Sequence, residues 1–197
     1  SWSSCIGNQL PQAVGAAWAA KLKKQDTVVV GFMGDGATSS SDFHMALNFA
    51  GVYKVPAVLV CQNNSWSISI PTSRQTASKT IAVKGRAYGV PGVRVDGNDV
   101  LAVWQVAKDA VDRARAGEGS TLIECVTYRI GAHSSSDDPT RYRDSAEVEA
   151  WKEKDPLARY GTFLRRSGVL SDEQDKALWD ELTHEVAEAV QRAEAQP

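Results

Sequence analysis

Three mainly apolar runs constrain this chain more than any other feature: TVVVGFM (27–33), AVLVCQ (57–62) and STLIECVTY (120–128). Runs rich in β-branched residues, without alternating polar positions, suit strands buried on both faces. GVRVDG (92–97) reads as a fourth strand. The intervening stretches have helical character. Residues 8–24 are Ala-rich, with Pro11 near the first turn and lysines at the end. SSSDFHMALNFAGVYK (39–54) starts with serines suited to capping, and a third helix runs from Asn98 or Asp99 to Gly117. Residues 65–79 read as irregular and lead into a short helix. Strands alternating with helices imply parallel pairing through right-handed crossovers. The predicted class is therefore α/β, three layers (α/β/α) around a central, mainly parallel sheet. Beyond the polar loop 129–145 the pattern is wholly helical, ending in an amphipathic helix from Ser171 whose charges form a solvated face. The predicted division is an α/β domain over 1–145 and a helical C-terminal extension over 146–197, packed on it.

Length and charge narrow the function classes. At 197 residues the chain suits one core. Its 22 basic against 24 acidic residues argue against a nucleic-acid partner or an anionic membrane surface. No apolar run approaches the roughly 18–20 residues that span a bilayer. Three cysteines without a C-x-x-C pair point to free thiols, with Cys61 and Cys125 buried in strands. The first residues lack the basic start and apolar stretch of a signal peptide, so a cytoplasmic location is expected. The chain also enters a helix almost at once, and is expected to lack an upstream part.

In open α/β sheets, ligands bind beyond the C-terminal strand ends. Gly34-Asp35-Gly36, Asn63-Asn64 and loop 129–145 all follow such ends, so three polar clusters are predicted to converge on one edge. GDGATSSSD lacks the third glycine of a dinucleotide fingerprint and the Gly-Lys-Ser/Thr ending of a phosphate loop. An ordinary nucleotide-binding domain is disfavoured on that ground. Gly-Asp-Gly alone often makes only a turn. Its partner matters more: 26 residues, one helix and one strand, separate Gly36 from Asn63. Asp35 and Asn64 then each offer a hard oxygen at the ends of neighbouring strands. Mg²⁺ takes oxygen ligands and commonly completes its shell with phosphate, and a following helix start favours a diphosphate.

GDG, 26 residues, then NN resembles the thiamine-diphosphate-binding motif. IGNQLPQAVGAAWA, GDGATSSSDFHMALNFA, NNSWSIS, RVDGNDVLAV and YRIGAHSSSDDPTRYR extend the likeness over essentially the whole chain. Together they resemble the alpha subunit of the 2-oxo acid dehydrogenase decarboxylating component. SSSDDPTRYR resembles the branched-chain type, whereas pyruvate and acetoin enzymes usually carry a single Asp before Pro.

The resemblance implies a thiamine-diphosphate-binding fold, with thiamine diphosphate and Mg²⁺ as cofactors. Asp35, Asn64 and the Trp66 main-chain carbonyl would ligate the metal. Ser4 and the backbone around Ile6 would touch the aminopyrimidine, with Ile6 as the apolar wedge that bends the cofactor. Gly34, Gly36 and Ala37 would line the diphosphate, and Ile68 would join the cofactor contacts. His133 would lie near the thiazolium, in a loop ordered by Arg129 and Asp137. Ser134 matches a serine phosphorylated in mitochondrial relatives, a modification not expected here. The implied activity is oxidative decarboxylation of branched-chain 2-oxo acids, with the acyl group passed to a lipoyl-bearing acyltransferase. A beta subunit would supply the activating glutamate and complete a heterotetramer, so this chain is expected to be inactive alone. A pyruvate or acetoin dehydrogenase alpha subunit, or a non-catalytic docking fragment, are the alternatives.

Two positions depart from the pattern. Ser40 stands where most relatives have an acidic residue, and Gln62 where branched-chain relatives often have Arg against the diphosphate. Relatives also carry N-terminal residues not in this sequence, including a Tyr-Arg pair that binds diphosphate and substrate. His44 and His184 are expected to be structural and surface residues. Loop 129–145, with Ile130 as its only expected apolar anchor, is predicted to be mobile until ligand arrives.

Overall fold

The computed structural model describes residues 4–196, in two compact units that divide between Lys154 and Asp155. The first unit begins with α1 (Gln9–Leu22), β1 (Val29–Gly34), a 3-10 turn (Asp35–Ser39) and α2 (Ser41–Tyr53). It continues with β2 (Ala57–Asn63), a hairpin of β3 (Trp66–Ser67) and β4 (Ile70–Pro71), and the single turn α3 (Thr72–Gln75). A 3-10 segment (Ala82–Tyr88), β5 (Gly92–Asp96), α4 (Val100–Arg115), β6 (Thr121–Val126), a 3-10 turn (Pro139–Arg141) and α5 (Ser145–Lys152) complete it. β1, β2, β6 and β5 form one parallel sheet in that order. The four predicted strands are therefore present, and the class is α/β.

Two apolar clusters cover opposite faces of the sheet, as alternation along β2 shows. Ala57, Leu59 and Cys61 join Leu10, Val14, Phe43 and Leu47 of α1 and α2. Val58 and Val60 join Ala110, Ile123 and Cys125, with Val103, Val106 and Val111 of α4 packed alongside. Period-2 side chains meeting helices on both sides make three layers.

Local chemistry sets the helix ends. Ser40 caps α2, its hydroxyl accepting from Phe43 N–H at 3.4 Å and donating to the Ala37 carbonyl at 2.8 Å. At the other end of α2, Lys21 from α1 donates to the carbonyls of Tyr53 (2.6 Å) and Lys54 (3.1 Å). Asp99 caps α4 by accepting from Leu101 and Ala102 N–H, both at 3.1 Å. Ser40 thus has a structural task at the position where the family pattern carries an acid.

Two expectations change. The first apolar run is not buried on both faces: β1 is an edge strand, and Val30 and Phe32 are 44% and 58% exposed. Continuous apolarity does not distinguish a central strand from an edge strand whose outer face stays uncovered. Gln9 donates to the Phe32 carbonyl at 2.9 Å. The second change is in 65–79, where two-residue strands and a one-turn helix replace the irregular stretch; elements this short have no readable period.

The second unit carries α6 (Pro156–Arg166) and α7 (Asp172–Glu194). Ser171 and Gln174 form a reciprocal capping box at the start of α7. Arg165 bridges Asp172 at 3.0 Å and also pairs with Asp175. No described residue of this unit is buried. No helix among the described residues is long and apolar enough to cross a membrane.

Candidate functional site

The β1–β2 register pairs Gly34 with Gln62, so the residues that follow leave the sheet side by side. Asp35 opens the 3-10 turn and is buried at 2% exposure. Its Oδ2 accepts from Gln75 Nε2 at 2.8 Å and Thr72 Oγ1 at 3.4 Å. The same Thr72 hydroxyl is 3.1 Å from Asn63 Oδ1, so one side chain links the two strand ends. Both hydrogen bonds to the Asp35 carboxylate fall on Oδ2, which leaves Oδ1 for a ligand.

After β2 the chain reverses sharply. Asn63 Oδ1 and Asn64 Oδ1 accept from the N–H groups of Ser65 and Trp66, each at 3.1 Å. Ser65 and Ile68 have left-handed backbones, with φ of 72° and 53°. For a β-branched residue such as Ile68 that conformation is strained, and such strain collects at functional sites. Pro71 stands opposite Trp66 in the hairpin and has no N–H, so it offers the Trp66 carbonyl no donor. The expected ligands, Asp35, the Asn64 amide and the Trp66 carbonyl, would offer oxygen only and one negative charge. That chemistry fits Mg²⁺ better than a transition metal.

The space around this set is shaped by backbone approach. A Cβ on Gly36 would lie 2.3 Å from Ser67 Oγ, whereas one on Gly34 would meet nothing within 4 Å. Gly36 therefore admits the hairpin, and Gly34 faces open space. Ala37 is buried directly behind them. Gly7 is left-handed (φ 88°), and a Cβ there would approach Ser40 Oγ to 2.5 Å. That contact brings the segment carrying Ser4 and Ile6 to the same end of the sheet. Ile6 is 70% exposed and Ile68 half-exposed, two bare apolar side chains in a polar setting.

Loop 129–145 is anchored by more than the sequence suggested. Arg129 donates to the Ile68 carbonyl at 2.7 Å and to the Tyr142 hydroxyl at 2.9 Å. Tyr142 donates to Asp137 Oδ2 at 2.6 Å, and the same oxygen takes His133 N–H at 2.8 Å. Arg129 lies 4.0 Å from Asp137, and Arg143 bonds the carbonyls of Arg129 and Ile130. The Tyr142 ring also packs on Trp66, centroids 5.4 Å apart. Ile130 is thus not the only apolar anchor; Tyr142 is a second. The Tyr142 hydrogen bond, then the His133 N–H and the Arg129 charge, hold the Asp137 carboxyl below its ordinary value. His133 and Ser134 are exposed on this loop, and Ser134 Oγ lies 3.2 Å from Ser136 Oγ.

The sequence pattern missed several members of this site. Thr72 and Gln75 come from the stretch that read as irregular. Glu124 carried a signal, a carboxylate inside an otherwise apolar strand, and it is buried at 1% exposure. Lys84 approaches the Thr38 carbonyl at 3.5 Å, and burial lowers its ammonium below the usual lysine range. Burial first, and the nearby Asp35 and Glu124 carboxylates next, push the Cys61 thiol far up, so it is inert packing. His44 is occupied with the Tyr88 hydroxyl at 2.7 Å.

The family described as dehydrogenase E1 component matches residues 1–197. The chain is 53% identical over 188 residues to the 3-methyl-2-oxobutanoate dehydrogenase subunit alpha of Mycobacterium tuberculosis, covering 94% of this chain and 51% of that protein. It is 46% identical over 190 residues to the pyruvate dehydrogenase E1 component subunit alpha of Staphylococcus aureus, covering 96% and 51%. It is also 46% identical over 193 residues to the mitochondrial 2-oxoisovalerate dehydrogenase subunit alpha 2 of Arabidopsis thaliana, covering 98% and 41%. The chain spans about half the length of the curated relatives it matches.

Proposed function

The chain belongs to the dehydrogenase E1 component family, and from that premise we propose that it is the cofactor-binding part of a branched-chain 2-oxo acid dehydrogenase alpha subunit. The observation that carries this reading is the in-register end of β1 and β2, where Thr72 bridges Asp35 and Asn63, the neighbour of Asn64. In this proposal Asp35, Asn64 and the Trp66 carbonyl hold Mg²⁺, and the backbone at Gly34, Gly36 and Ala37 faces a diphosphate. Ser4 and Ile6 meet the aminopyrimidine, with Ile6 and Ile68 supplying apolar contact. Bound there, thiamine diphosphate supplies the nucleophilic carbon and electron sink that decarboxylation of a 2-oxo acid requires.

The chain's own residues then hold and orient. Asp35 would supply the single negative charge against a divalent cation, and the two neutral oxygens would be further ligands. Arg129, Asp137 and Tyr142 fix the loop so that His133 is presented to the reacting end, where its imidazole donates or accepts a proton. Gln62, a neutral donor, would hold a diphosphate less firmly than an arginine. A beta subunit supplies the remaining acid, a lipoyl-bearing acyltransferase takes the acyl group, and the chain is inactive by itself. The branched-chain choice is supported by Asp137-Asp138 before Pro139 and by the higher identity to the Mycobacterium relative, 53%, than to the Staphylococcus one, 46%. The Staphylococcus relative favours pyruvate as the second reading, and a 2-oxo acid substrate panel with the beta partner separates the two.

The deciding experiment is calorimetric titration of thiamine diphosphate, with and without Mg²⁺, into wild type and Asp35→Ala. Magnesium-dependent binding is expected in wild type, with at least a tenfold loss in Asp35→Ala. Binding that ignores both Mg²⁺ and Asp35 overturns the assignment of the metal site. Silence in wild type, repeated with full-length alpha and beta subunits, overturns the cofactor reading itself.

A further inference from the structure

Glu124 touches none of the Asp35, Asn64 and Trp66 oxygens, yet it is a buried carboxylate in the middle of the sheet. Each of its oxygens takes one N–H: Oε1 accepts from Asn63 Nδ2 at 2.8 Å, and Oε2 from Ala82 N at 2.9 Å. Arg94 Nε stands 3.8 Å from Oε1. A buried carboxylate is retained only where such donors replace water, and here they do.

The consequence runs through Asn63. An asparagine amide presents either its NH₂ or its oxygen to a neighbour, and an acceptor at 124 settles the choice. With Nδ2 turned to Glu124, Oδ1 must face the other way, toward Ser65 N–H at 3.1 Å and Thr72 Oγ1 at 3.1 Å. The first contact holds Ser65 in its left-handed turn, and so sets where Asn64 and Trp66 point. The second holds α3, whose Thr72 shares its one proton between Asn63 Oδ1 and Asp35 Oδ2 and whose Gln75 donates to Asp35 Oδ2. We propose that Glu124 is a positioning residue: acting through Asn63, it fixes the 63–66 turn and the Thr72 bridge on which the Asp35, Asn64 and Trp66 oxygens depend. This deepens the metal-site reading above and rests on it for its functional meaning.

The chemistry makes a sharp test available. Glutamine has one acceptor and one donor, so Glu124→Gln cannot accept from both Asn63 and Ala82. Either Ala82 N–H is orphaned or the Asn63 amide flips and sets its NH₂ against Ser65 N–H. Exchanging the pair, Glu124→Gln with Asn63→Asp, restores the 63–124 pairing and the bonds from Ala82, Ser65 and Thr72, leaving only the 3.8 Å Arg94 contact unmade. The introduced glutamine then accepts from Ala82 and donates to the introduced aspartate, whose other oxygen accepts from Ser65 and Thr72.

The experiment measures amide hydrogen exchange at Ser65, Trp66 and Thr72 without cofactor, and Mg²⁺ affinity in the presence of thiamine diphosphate. Glu124→Gln is expected to speed exchange at Ser65 and Trp66 at least tenfold and to weaken Mg²⁺ by roughly 10- to 100-fold, the range typical of outer-shell partners. The exchanged pair is expected to return the exchange rates to within about threefold of wild type, a rescue that mere loss of packing does not allow. Unchanged exchange in Glu124→Gln, or no rescue in the exchanged pair, overturns the proposal. If Glu124→Gln does not fold, the exchanged pair decides alone: native exchange supports the proposal and failure to fold overturns it. Wild type that binds no thiamine diphosphate defeats the functional reading, while the cofactor-free exchange comparison still decides this one.

Discussion

At the scale of single residues, Ile68 separates stability from function. Its left-handed backbone costs a β-branched residue about 1–2 kcal/mol, and with half its surface exposed the side chain recovers little by burial. Glycine there relieves the strain at an entropic cost of about 0.5–1 kcal/mol. Ile68→Gly is therefore expected to unfold at the same or slightly higher temperature, gaining at most about 1 kcal/mol, while its affinity for thiamine diphosphate falls several-fold. Thermal melts and calorimetry on the same preparation check both halves; a destabilised variant with intact binding would show that Ile68 is a packing residue. The sequence revealed Asp35 and Asn64 because their chemistry sits inside a fixed spacing. It did not reveal Thr72 and Gln75, because an ordinary hydroxyl and an ordinary amide become informative only once folding sets them on Asp35. Glu124 lies between these cases: a charge within an apolar strand was legible as an anomaly, but its partner 61 residues away was not.

At the scale of elements, the loop that carries His133 is a polar structure with a pH limit. Asp137 is held below its ordinary value of 3.8, first by the Tyr142 hydroxyl and then by the His133 N–H. A group depressed by folding stabilises the folded loop fully above its unfolded value and loses that contribution as pH falls through the folded one. Loop order is therefore expected to hold from neutrality down to about pH 4 and to fail only in more acid solution. Tyr142→Phe removes the largest cause, so its transition moves up toward the ordinary carboxylate range. Trp66 packs on the Tyr142 ring, and a fluorescence titration of both proteins from pH 7 to pH 2.5 reads the shift. Coincident titrations would mean that the hydroxyl is idle. The helices and long strands were legible because 3.6-residue and mainly apolar patterns persist over many residues. The β3–β4 hairpin and α3 were not, because Trp66–Ser67 and Ile70–Pro71 are held by side-chain turns and one proline rather than by pattern.

At the scale of the whole molecule, the sheet is asymmetric. β5 is covered on the α4 side through Val95, whereas β1 leaves Val30 and Phe32 bare beside an unpaired strand edge. Such an edge favours self-association, and the Gln9 contact with the Phe32 carbonyl blunts only one point of it. The chain is expected to form concentration-dependent oligomers at tens of micromolar, which Val30→Thr with Phe32→Lys diminishes while the melting temperature stays within a few degrees. Sedimentation velocity over a tenfold concentration range checks this, and identical profiles for the two proteins would refute it. The strand order has another consequence, for the chain as it is being made. β5 has one neighbour in the sheet, β6, and β6 lies 25 residues further along the sequence, beyond α4. During synthesis at ~5–20 residues per second, β5 waits roughly one to five seconds for the strand that joins it to β2. The last of the described strands is thus the keystone of the sheet, and a ribosome paused before residue 121 would hold β5 without the neighbour that joins it to β2.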